Sequence, residues 1–91
     1  MTSLSDTASI ERCIIALLAS RKPESSICPS DAARALWPDG EQWRERMDDV
    51  RAAAAGLARR GEVRITQGDS EVDIETVRGP VRIRRGPGFT S

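Results

Sequence analysis

Apolar residues recur at helical spacing up to Arg60, and after Gly61 the period changes to two. In "ASIERCIIALLASRKP", Ile10, Ile14, Leu17 and Leu18 share one side, with Cys13 on its flank. This predicts an amphipathic helix of about three turns. Asp6, Thr7 and Ser9 are its candidate caps, Arg21 and Lys22 suit its negative end, and Pro23 stops it. "ESSICPS" reads as a linker. Ser30 is the candidate N-cap of a second helix, Asp31 complements its dipole, and Ala33, Leu36 and Trp37 share its inner face. Pro38 cannot continue that helix, and "WPDG" reads as a turn.

A longer helical region follows. Asp39 with Gln42 resembles a capping box. Trp43, Met47, Val50, Ala54 and Leu57 form a stripe that runs to Arg60, and Gly61 is the stop. Asp48 is a second candidate cap, since a short helix, a kink and a helix from Asp49 to Arg60 would keep the same stripe. In "EVRITQG", Val63 and Ile65 alternate with Arg64 and Thr66; in "PVRIRRG", Val81 and Ile83 alternate with Arg82 and Arg84. Both read as strands with one buried face. The intervening "DSEVDIETVRG" is too long for a tight hairpin and has room for a helical turn or a small strand around Val72 and Ile74. "GPGFTS" reads as a frayed end. The expected organisation is a flexible N-terminus over 1–8, one domain over 9–86 and a flexible tail over 87–91. Three helices followed by an antiparallel hairpin predict an α+β fold, a winged helix whose second and third helices form a helix-turn-helix.

Three stretches, "ICPSDAARALWP", "DDVRAAAAGLARRGEVRITQG" and "RGPVRIRRG", resemble a small bacterial family of unknown function. The resemblance covers roughly Ile10 to Gly86. It implies a winged-helix-like domain and carries no assigned activity, so it transfers no catalytic residue. Members of that family often carry a proline where this chain has Asp48, which implies a helix break near Met47.

At 91 residues the chain is one domain. Domains this small bury only roughly 60–65% of the surface their unfolded chains expose, so the core must be fully used. No apolar run approaches the roughly 20 residues of a membrane span. "MTSLSDTASI" lacks a basic segment followed by an apolar one, so the cytoplasm is the expected compartment. Fourteen basic and 14 acidic residues leave no net charge, so any affinity for nucleic acid needs a local patch. Histidine and tyrosine are absent. Cys13 and Cys28 form no C-x-x-C pair and read as reduced structural thiols, with no metal and no cofactor expected. Nor is an enzyme expected: the chain has no glycine-rich phosphate loop and no histidine-containing triad, and Ser30 is better read as a cap than as a nucleophile.

Two binding readings remain. For double-stranded DNA the candidate contacts are Arg51 and Arg60 on the flanks of the third helix, Arg64 on the first strand, and Arg78, Arg82, Arg84 and Arg85, which fall within eight residues that hold no acid. The face of the third helix fits badly, because Glu45, Asp48, Asp49, Ala52, Ala55, Gly56 and Arg59 project outward and acids repel phosphate. Asp69, Glu71, Asp73 and Glu75 could also fold back and neutralise the arginines. The alternative is a protein partner or self-association through Ala52, Ala55 and Gly56, a smooth strip on the third helix; surface alanine is also simply a good helix former. RNA stacking is disfavoured, because Trp37 and Trp43 occupy core-facing positions and Phe89 lies in the tail.

Overall fold

The computed structural model describes residues 7–90. Its first helix, α1 (Thr7–Ala19), buries Ile10, Ile14 and Leu18. The helix begins at Thr7, two residues before the expected start of the domain. Residues 1–6, with the candidate cap Asp6, lie outside the described residues. The cation at the end of α1 comes from far along the chain. Nη2 of Arg85 donates to the carbonyls of Leu18 at 3.0 Å and Arg21 at 2.9 Å.

The expected linker contains a strand, β1 (Ser26–Ile27), and Ile27 is fully buried. Two residues are too few to show a period in sequence. Next comes α2 (Pro29–Leu36). Its N-cap is Cys28, one residue before Pro29, and Ser30 is already inside the first turn. The fixed φ of proline suits the first helical position, so the helix starts there. Asp31 completes the cap by accepting the Cys28 N–H at 2.9 Å. Ala32, Ala33 and Trp37 are buried and Leu36 is half-buried.

A 3-10 helix (Gln42–Arg46) precedes α3 (Met47–Arg59). The break at Met47 is the expected kink, made without a proline. The expected caps are not used. Glu41 precedes the 3-10 helix, Arg46 precedes α3, and neither makes a side-chain capping bond; Asp48 lies inside the first turn. Val50, Ala54 and Leu57 are buried as expected, with Trp43 and Met47 half-buried. Ala53 and Ala55 are buried too. Alanines on α2 and α3 let the helices approach closely, which answers why the run is alanine. Gly61, at φ +77°, ends α3. Its N–H donates to the Ala58 carbonyl and that of Glu62 to the Leu57 carbonyl, both at 3.0 Å, the Schellman pattern that favours glycine there.

The sheet is antiparallel, in the order β1-β4-β2-β3. β2 (Val63–Gln67) turns tightly into β3 (Ser70–Glu71), and β4 (Arg82–Arg85) returns on the other side of β2. The small extra strand thus lies just before Val72. Val63, Ile65, Val81 and Ile83 point into the core. Ile74, from the β3–β4 connection, is also buried and covers Ala55. The tail makes contacts with the sheet and the end of α3. Gly86 donates to the Glu62 carbonyl at 2.9 Å and Gly88 to the Gly61 carbonyl at 2.8 Å, and Phe89 packs under the Arg85 guanidinium at 4.6 Å. Only Ser91 of the tail lies outside the described residues. Three helices on one face of a small antiparallel sheet make an α+β fold, and the order of elements is compatible with a winged-helix-like arrangement. Among the described residues no helix is long and apolar enough to cross a membrane.

Candidate functional site

Strand alternation sorts the arginines. With Ile65 and Ile83 inward, Arg64 on β2 and Arg82 and Arg84 on β4 project from the opposite face of the sheet. Register brings them together: Arg64 lies directly across from Arg84, and Thr66 across from Arg82. Like charges directly opposite each other destabilise a sheet. Neighbouring acceptors draw the two side chains of that pair apart. Arg84 donates from Nε to the Thr66 hydroxyl at 3.2 Å and from Nη1 to the Glu24 carbonyl at 3.1 Å, while Nε of Arg64 reaches the Arg85 carbonyl at 3.3 Å. Arg82 spans to β1. It donates to the Ser26 hydroxyl at 2.8 Å, the Ser26 carbonyl at 3.3 Å and the Cys28 sulfur at 2.7 Å. Arg78 is exposed on the connection, where Nε2 of Gln67 donates to its carbonyl at 2.7 Å.

Every one of these acceptors is neutral. Among the described residues, the ion pairs are Arg44–Glu41, Arg46–Asp49, Arg59–Glu75, Arg60–Glu11 and Arg60–Glu62, and none includes Arg64, Arg78, Arg82, Arg84 or Arg85. Asp73 and Glu75 do not fold back onto the arginines. Glu75 pairs with Arg59 at 3.0 Å, and the Asp73 carboxylate accepts the Glu75 N–H at 2.9 Å within its own turn. Glu71, opposite Thr66 on β3, shares the outer face, which therefore carries three arginines against one acid and stays net positive.

The other candidates lie elsewhere. Arg51 is half-buried and donates to the carbonyls of Ile74 at 3.0 Å and Val77 at 3.4 Å, so it pins the connection. Arg60 lies between Glu11 and Glu62, whose hydrogen bonds, Glu11 first, push its pKa further up. Arg85 turns towards α1, and its Nε is buried without a partner. Glu45, Asp48, Asp49 and Ala52 are exposed, as the helical phase predicts. Ala55 is buried beneath the connection, and Gly56 lies 3.3 Å (measured from an added Cβ) from the Glu11 carboxylate. The smooth outer strip of Ala52, Ala55 and Gly56 is therefore not formed.

Sequence reasoning missed Ser26, Cys28 and Thr66 as the groups that hold Arg82 and Arg84. They become visible only once β1 is paired with β4. It also missed the stacking of Arg34 and Arg44 on either side of Trp43, at 4.4 and 4.6 Å from the ring centre. Cys13 is half-buried, with its thiol 3.9 Å from the Ala32 carbonyl, and burial pushes its pKa up. Among the described residues no group of three or more His, Cys, Asp or Glu side chains is placed to hold a metal ion.

No curated protein matches the chain. A family model does match, over residues 7–86, and the chain belongs to that family, described as a protein of unknown function, DUF3253.

Proposed function

We propose that the chain binds the phosphate backbone of double-stranded DNA through the outer face of its sheet, with Arg64, Arg82 and Arg84 as contacts. One observation carries this reading. Three arginines from adjacent strands share a face, and none is paired with a carboxylate among the described residues. A guanidinium has five N–H donors. Arg82 makes three of the bonds described above, Arg84 two and Arg64 one, so each retains donors for phosphate.

Backbone contact fits better than base reading. The exposed acids at the start of α3 oppose entry into a groove lined by phosphates. Single-stranded nucleic acid fits less well, because it binds on aromatic platforms. Trp37 is buried, Trp43 is stacked between two arginines, and Phe89 lies under Arg85.

The test is a titration of isotope-labelled protein with several unrelated duplexes at low salt. Amide shifts should centre on β2 and β4, and affinity should vary little with sequence. Three phosphate contacts give a slope of log affinity against log salt of about −3. Arg64→Glu, at an exposed position with a single hydrogen bond, should weaken binding at least about tenfold. Absence of shifts with every duplex at low salt would sink the reading.

A further inference from the structure

The positive surface does not stop at β4. Arg21, just past the end of α1, donates from Nη1 to the Ser26 carbonyl at 3.4 Å. The same carbonyl accepts from Nη2 of Arg82 at 3.3 Å, so two guanidiniums converge on one oxygen of β1. Arg21 and Lys22 are exposed, and among the described residues neither is in an ion pair. The segment that carries them is fastened to β4. Nη2 of Arg85 donates to the Arg21 carbonyl at 2.9 Å, and Nη1 of Arg84 to that of Glu24 at 3.1 Å. The Ser25 N–H donates to the Lys22 carbonyl at 2.9 Å and closes the segment as a turn. The fold thus places these cations before any ligand arrives.

We infer, given DNA binding by the sheet face, that the phosphate backbone crosses the strands from Arg64 over β4 to Arg21 and Lys22 beyond β1. Register sets the line. Arg64, Arg84 and Ser26 lie directly opposite one another on β2, β4 and β1. Strands lie about 4.8 Å apart, so this row is about 10 Å long, and Arg21 extends it past the edge. Phosphates of one DNA strand follow at about 3.4 Å along the axis, so the row reaches several of them. Charge sets the end of the sheet that is used. In the order β1-β4-β2-β3, Glu71 stands at the edge opposite Arg21. A polyanion is repelled at the β3 edge and attracted at the β1 edge. Glu24 is the one acid between Arg21 and Ser26, and Arg21 and Lys22 outnumber it.

Fluorescence anisotropy of the full chain with one duplex, over a salt series, tests this. Two added contacts should steepen the salt slope from about −3 to about −4.5. Arg21→Gln removes one contact and should weaken binding about five- to tenfold at about 0.1 M salt, with a slope shallower by about 1. Arg21→Gln combined with Lys22→Gln should make it shallower by about 2. Arg12→Gln is the control, since Arg12 is exposed and unpaired among the described residues and lies about two turns before the end of α1. It should leave the slope unchanged. All three positions are exposed, so unchanged circular dichroism and melting show that the variants fold. Binding that Arg64→Glu weakens but both Arg21 variants leave untouched overturns the extension and spares the sheet as the contact. An equal loss from Arg12→Gln overturns the extension too, and a wild type that binds no duplex overturns both.

Discussion

At Gly86 an added Cβ would run into the Gly61 carbonyl and come within 2.9 Å of the Val63 nitrogen, and both are backbone atoms. Gly56, inside α3, would place its Cβ 3.3 Å from the end of the flexible Glu11 side chain. The two glycines therefore respond to alanine with opposite signs. Gly86→Ala should destabilise the fold by about 1–3 kcal/mol, as overpacking does. Gly56→Ala should be neutral or stabilise it by up to about 1 kcal/mol, because alanine is the better helix former. Urea midpoints of the two variants check both signs. Cys13 gives a pH-dependent effect. Burial raises its pKa above the ordinary 9.0, so the unfolded chain ionises first. Its contribution to stability is complete below that value and is lost as pH rises through the folded value. Between about pH 8 and pH 10 the urea midpoint should fall more in the wild type than in Cys13→Ala.

At the scale of elements, the β3–β4 connection depends on α3. Arg51 reaches two of its carbonyls, and Arg59 pairs with Glu75 across it. Arg51→Met keeps the length of the side chain and removes both bonds. The loss should be about 1.5–3 kcal/mol, the range for bonds to a charged group. Amides of residues 72–77 should exchange faster in this variant, while β2 and β4 stay protected; uniform loss of protection would show that the connection does not open as a unit. These elements also show where the sequence was legible. Ile10, Ile14 and Leu18 repeat over enough turns to reveal α1, and Val63, Ile65 and Ile83 alternate clearly. β1 has no period to read, and Ala55 looked outward because its cover, Ile74, comes from an irregular segment. The outward phase of Arg64, Arg82 and Arg84 was readable. The separate tasks of Arg51, Arg60 and Arg85 depend on contacts across 23 to 67 residues and were not.

At the scale of the whole molecule, zero net charge hides a separation. The helices cover the inner face of the sheet, Arg64, Arg82 and Arg84 outnumber Glu71 on its outer face, and Asp48 and Asp49 stand at the exposed start of α3. Exposed charges further apart than about 8 Å are largely screened at physiological salt. This separates two ways of approaching DNA. If α3 faced the duplex, Asp48→Asn with Asp49→Asn would remove two charges beside phosphate and raise affinity at least about tenfold. If the sheet faces the duplex, both acids belong to the helix layer behind it, so the double variant should change affinity by less than about twofold. Arg64→Glu should still weaken binding strongly. Fluorescence anisotropy at physiological salt, with one duplex and both variants, distinguishes the two. A large gain from the aspartate variant would place α3 against the DNA and move the contact surface away from the sheet.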